Sequence, residues 1–203
     1  ILYKRKKGLG TLHKAKYKNE NVICRIINFD RLSRYNIENI IVDFEKIINL
    51  NHKNIDIFIG YYIVDDNKII IVYNEYKNGS LYDYVQINKN ILSNENKMNI
   101  ANGIINGINY LHNHKLIHCH LNSRNILLDD DLNQKIVDFG LSNLYEFANL
   151  FNKYGNKNSY SPPEVLSSNN SIFKKLEKID ENLKKIDIYS FGMILWELVT
   201  GTV

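Results

Sequence analysis

The sequence predicts an α+β chain in two lobes: a small sheet-plus-helix lobe, then a larger and mostly helical one. Three observations carry this. Apolar, β-branched runs crowd the first 78 residues. After Asn78-Gly79 the apolar residues recur at helical spacing instead. A short hinge, Asn74 to Asn78, separates the two regimes, so residues 1–78 form the first lobe with its hinge and residues 79–203 the second. Ligand sites favour the cleft between such units.

In the first lobe, Val22 to Ile27 reads as a strand. Ile55 to Val64 and Ile69 to Tyr73 read as two more, joined by the turn-forming Asp65-Asp66-Asn67-Lys68. Between them, Ile40, Ile41, Phe44, Ile47, Ile48 and Leu50 mark an amphipathic helix over Asn39 to Leu50. In the second lobe, Ser80 to Val85 is a short helix. Glu95 to His112 is a long one, with Met98, Ile100, Ala101, Ile104, Ile105, Ile108 and Leu111 as the apolar positions of a buried-looking helix. A polar loop from His118 precedes the apolar Ile126-Leu127-Leu128, and Lys135-Ile136-Val137 leads into Asp138-Phe139-Gly140. Pro162-Pro163 excludes a helix interior there. Ser167 to Lys185 reads as partly helical, and Tyr189 to Val199 as a strongly apolar helix.

Composition narrows the function. A hydrophobic content of 44% over 203 residues is enough for a real core. The net charge of +4 is spread thinly apart from Lys4-Arg5-Lys6-Lys7 and Lys184-Lys185, which argues against a nucleic-acid partner. The abundant Asn beside Lys and Ile is a compositional bias. Cys24 and Cys119 are too few for a disulfide framework, which fits an intracellular, cytoplasmic setting. No apolar run reaches the roughly 20 residues of a membrane span, and the opening ILYKRKKG is no signal peptide. Both ends of the chain read as structured, as in a piece of a longer protein.

Four motifs stand in one order. These are His118 with Asn125, Asp138-Phe139-Gly140, Pro163-Glu164, and Asp187-Ile-Tyr-Ser-Phe-Gly192. Ordered and spaced in this way, they resemble a protein kinase domain over nearly the whole chain. The wording of Ser123 to Leu128 and of Tyr76 to Leu81 is similar to the tyrosine-kinase-like branch. The resemblance implies the bilobal kinase fold, with an ATP site formed by Gly8, Gly10, Leu12, Ile23, Tyr73, Glu75, Tyr76 and Leu127. Asn125 and Asp138 would be the Mg2+ ligands.

The departures from the family pattern fall at the working parts. The nucleotide loop, Arg5 to Leu12, keeps only its third glycine, Gly10. Arg25 replaces the phosphate-holding Lys, an exchange that is not conservative. Asp43 falls where the helix Glu should pair with it, with Glu45 as the alternative register. Ile23 replaces a small residue over the adenine, where overpacking costs about 1–3 kcal/mol. Cys119 replaces the Arg that grips a phosphorylated loop, and Asn122 the Lys that touches the γ-phosphate. His120 replaces the catalytic Asp. Imidazole can accept a proton near neutral pH, although losing a positioned base removes about 10²–10⁴-fold in rate. A zinc site from His112, His114, His118, Cys119 and His120 demands a convergence that the kinase spacing does not supply. In Leu141 to Ser161, the residues Ser142, Tyr145, Tyr154, Ser159 and Tyr160 are modification candidates, while Asn156 and Lys157 displace the usual Gly-Thr.

The resemblance with these losses implies a pseudokinase: a signalling scaffold or allosteric module for other signalling proteins, with weak or absent ATP binding and no membrane insertion. The alternatives are a low-activity Ser/Thr/Tyr kinase using Mg-ATP and an ATP-sensing switch that transfers nothing.

Overall fold

The computed structural model describes residues 4–6, 10–29, 34–65, 67–88, 92–141, 159–167 and 181–202. Five antiparallel strands make the first lobe: β1 (Lys4–Lys6), β2 (Thr11–Tyr17), β3 (Glu20–Asn28), β4 (Gly60–Asp65) and β5 (Lys68–Asn74). They are ordered β1-β2-β3-β5-β4. Strand β2, which the apolar runs alone do not reveal, is turned back onto β3 by Lys18 and Asn19 at φ 48° and 68°. Two residues in the left-handed region suit the twist of a tight hairpin.

Helix α1 (Arg34–Ile47) lies between β3 and β4 in the chain, beginning and ending earlier than its apolar spacing suggests. It buries Ile40, Phe44 and Ile47 with Ile27, Ile69 and Ile71 of the sheet. Each such side chain contributes about 1.5–3 kcal/mol by leaving water. Phe44 meets Phe58 and Tyr61 at centroid distances of 4.9 and 4.5 Å.

The expected strand from Ile55 is regular only from Gly60. Before that, Ile136 N donates to Asn54 O and Asp56 N to Ile136 O, so this segment pairs with the second lobe instead. The second lobe contains α2 (Leu81–Ile87), α3 (Asn94–Asn113), the hairpin β6 (Ile126–Leu128) and β7 (Gln134–Ile136), α4 (Pro163–Ser167) and α5 (Glu181–Thr200). Ser80 caps α2 by accepting from Asp83 N, and Ser93 caps α3 by accepting from Asn96 N. Pro163 stands at the first position of α4, where its missing N–H costs nothing. Helix α5 starts before its apolar stretch because Leu183 and Ile186 are already buried while Lys185 faces water. One core runs through both lobes, with Ile104, Ile108 and Leu111 of α3 and Ile194 and Leu198 of α5 in its lower half. Among the described residues no helix is long and apolar enough to cross a membrane.

Candidate functional site

Between the lobes lies a cleft of about 450 Å3. Its roof comes from Leu12 of β2 and Ile23 of β3, its back from Tyr73, and its rear edge from the hinge residues Glu75 and Tyr76. Leu127 of β6 and Val137 form the floor, and Arg25 and Asp138 close the deep end. Six of the eight nucleotide-site residues expected from sequence therefore line one space. Ile23 crowds it less than its size suggests, since the cleft stays open beside it. Gly8 lies outside the described residues. Gly10 is not among the lining residues. Its φ is +87°, and a Cβ there would strike the carbonyl of Ile26, so close packing of β2 on β3 demands this glycine. Lys14, Asp83 and Arg124 also line the cleft and were missed in the sequence. Lys14 alternates with the inward His13 along β2, which was the available signal.

The loop below the cleft is held by a single buried carboxylate. Asp187 of α5 accepts from His118 N and Cys119 N, each at 2.9 Å, and its Oδ2 lies 2.8 Å from His112 Nε2. That grip accompanies a positive φ of 59° at Cys119, an unusual conformation for a residue with a side chain. His118 Nε2 donates to Val137 O, tying the loop to the segment that carries Asp138. Asn122 and Asn125 are buried, and both donate from Nδ2 to the carbonyl of His120, at 2.9 and 3.0 Å. The His120 backbone is thus clamped from two sides, and its imidazole is half-buried.

Residues 7–203 match the family model described as protein tyrosine and serine/threonine kinase. The chain belongs to the protein kinase family. Curated relatives include Serine/threonine-protein kinase SIK1 of Mus musculus, 29% identical over 89% of this chain and 22% of the relative's length. NUAK family SNF1-like kinase 1 of Homo sapiens is 30% identical over 96% and 29%. A G-type lectin S-receptor-like serine/threonine-protein kinase of Arabidopsis thaliana is 32% identical over 96% and 22%. The chain therefore spans less than a third of the length of these relatives.

Within this kinase domain Arg25, for which the motif spacing suggests Asp43 as a partner, places its guanidinium Nη2 2.6 Å from Asp138 Oδ2, with side chains only 6% and 2% exposed. Asp43 lies 3.2 Å from Lys46, one turn along α1. The arginine's charge also packs 5.3 Å from the Tyr73 ring centroid. A magnesium ion would need oxygens from Asn125 and Asp138 facing one space. Asn125 keeps an oxygen to offer, because its Nδ2 is spent on His120. Asp138 sets Oδ2 on Arg25 and lines the same cleft, with its second carboxylate oxygen outside that ion pair. Hard oxygen donors of this kind suit a divalent cation.

The histidine cluster does not converge. His112 turns to Asp187 and His118 to Val137, and no metal-holding group of three such side chains occurs among the described residues. Burial, with the Asp187 carboxylate adding to it, pushes the Cys119 thiol well up, so it is neutral and no phosphate grip.

Of the modification candidates, Ser142, Tyr145 and Tyr154 lie outside the described residues, and Ser159 is exposed. Tyr160 is buried: its hydroxyl donates to Glu197 at 2.7 Å and lies 2.8 Å from Ser123 Oγ. That geometry removes Tyr160 from the list. Ser123 and Glu197 carried no motif signal for this contact.

Proposed function

We propose that this kinase domain holds nucleotide in its inter-lobe cleft and transfers no phosphate at a useful rate, acting as a pseudokinase module for other signalling proteins. One observation carries the reading. The loop position at which the family places its proton-accepting Asp is built intact, clamped through the His120 carbonyl by Asn122 and Asn125, yet it presents an imidazole. Imidazole is bulkier than carboxylate and accepts a proton only while neutral. A second departure acts independently: Arg25 stands in place of the phosphate-holding Lys, its guanidinium 2.6 Å from Asp138 Oδ2. The open cleft supports the binding half of the proposal. An intracellular setting belongs to the same reading and is supported by the two free cysteines.

A low-activity serine/threonine kinase is the second reading, favoured by retained Asn125 and by the names of the relatives. A γ-phosphate transfer assay with ATP, magnesium and a generic protein acceptor separates the two. The proposal expects transfer at least about 10²-fold below an active kinase run alongside, as the loss of a positioned base dictates. Transfer at a normal kinase rate, lost in His120→Ala, contradicts it.

A further inference from the structure

A second groove, of about 430 Å3, lies between one face of α3, the β6–β7 hairpin and the segment before Ile55, and shares no lining residue with the cleft. Asn96, Asn99, Asn102 and Asn106 stand along it at the spacing of a single helix face. At a rise of about 1.5 Å per residue they form a row roughly 15 Å long. Asn54 and Gln134 also line the groove, although they are only 4% and 5% exposed. Gly103 of α3 makes room for them: a Cβ there would collide with the Gln134 carboxamide and come within 2.9 Å of Asn54 Nδ2. Among the described residues, none of these carboxamides makes a hydrogen bond within the chain, and Asn54 Oδ1 is buried without a partner. Buried polar side chains are ordinarily paired, so two buried and unpaired amides beside an open groove call for a partner from outside the chain.

The lining says what kind of partner fits. Leu132 is its one large apolar side chain and no aromatic ring faces it, so it offers no seat to a hydrophobic motif and no platform to a sugar. Lys53 and Lys135 are balanced by Asp129 and Asp131, which argues against a phosphate or an acidic tail. Lys135 Nζ already donates to Lys53 O, and Asp129 accepts from Asn133 N. A carboxamide carries an N–H donor and a carbonyl acceptor, as a backbone peptide does. A row of them therefore pairs with the N–H and C=O groups that alternate along an extended chain. At roughly 3.3 Å per residue, about five extended residues match the row. We propose that this groove holds an extended, uncharged segment of a partner protein by its main chain. The proposal does not rest on the reading of the cleft.

The test is NMR of the full, nitrogen-labelled chain, following the side-chain amide signals of the groove. The probe is a capped hexapeptide of alternating threonine and glutamine, added to millimolar concentration. The same peptide with methylated backbone nitrogens keeps its side chains and loses its main-chain donors. The plain peptide should shift the signals of Asn99, Asn102 and Asn106, and methylation should weaken binding at least about tenfold. The double variant Asn99→Ala with Asn102→Ala should weaken it to a similar degree. Both positions are exposed and alanine favours helix, so the fold is kept. No shift with millimolar peptide overturns the proposal, as does a shift that methylation or the variant leaves unchanged. Tighter binding of maltohexaose or of a capped hexaglutamate than of the peptide also overturns it, and gives the groove to a sugar or an acidic ligand.

Discussion

Asp56 lies against the hinge, with Asn74 Nδ2 3.1 Å from its Oδ1. Burial raises its pKa above the usual aspartate range, only partly offset by its hydrogen bonds to Asn74 and Tyr76 and by the Lys135 charge. The sign of the consequence follows from linkage. A carboxyl whose pKa is higher folded than unfolded contributes stability that is present below the unfolded value and lost as pH rises through the folded one. Asp56→Asn removes that component. The difference in Tm between variant and natural chain should therefore shift in the variant's favour from about pH 4 to about pH 7. A pH-independent difference would show that burial of this charge carries no cost. Tyr160 is the second test at this scale. Burial, followed by its bond to Glu197, pushes its phenol up, so the hydroxyl stays protonated and donates. Tyr160→Phe leaves Glu197 buried without that donor and should cost about 1–3 kcal/mol, read by urea unfolding.

Among the elements, α5 anchors the loop through one residue. Asp187→Ala strips acceptors from His118 N, Cys119 N and His112 together. Hydrogen bonds to a charged group are worth about 1.5–3 kcal/mol each, so the loss should reach at least about 3 kcal/mol, with Asp187→Asn milder because it keeps one acceptor. Equal losses in the two variants would contradict a role through the paired N–H contacts. The elements themselves were largely legible. Helix α3 and strand β5 show the periodicity of a buried face, and the hinge shows as a change of period. What escaped was decided in three dimensions. Strand β2 has only one buried residue, His13, and no apolar run to mark it. Backbone pairing with Ile136 of β7 diverts Ile55 from the first sheet, a contact between distant parts of the chain that no local pattern carries. At the site, the position of His120 was readable from motif spacing. The contact of Arg25 with Asp138 was not, because the two lie 113 residues apart and no local pattern links them.

At the scale of the whole molecule, the two lobes share one core and meet at the cleft. Gly140 shows how tightly. Its φ is +68°, and a Cβ there would come within 2.6 Å of Ile47 Cγ2, so the segment after Asp138 packs directly under α1. Nucleotide, if held here, bridges roof and floor and steadies one arrangement of the lobes. Such a bridge lets a domain without catalysis report a bound ligand to a protein partner. The central claim is binding without transfer. It is tested most directly by incubating the chain with ATP and magnesium, then recovering both nucleotide and protein for mass analysis. The account predicts ATP returned intact from the bound fraction and protein of unchanged mass. ADP in step with one or more phosphates added to the chain, both abolished by His120→Ala, would contradict it.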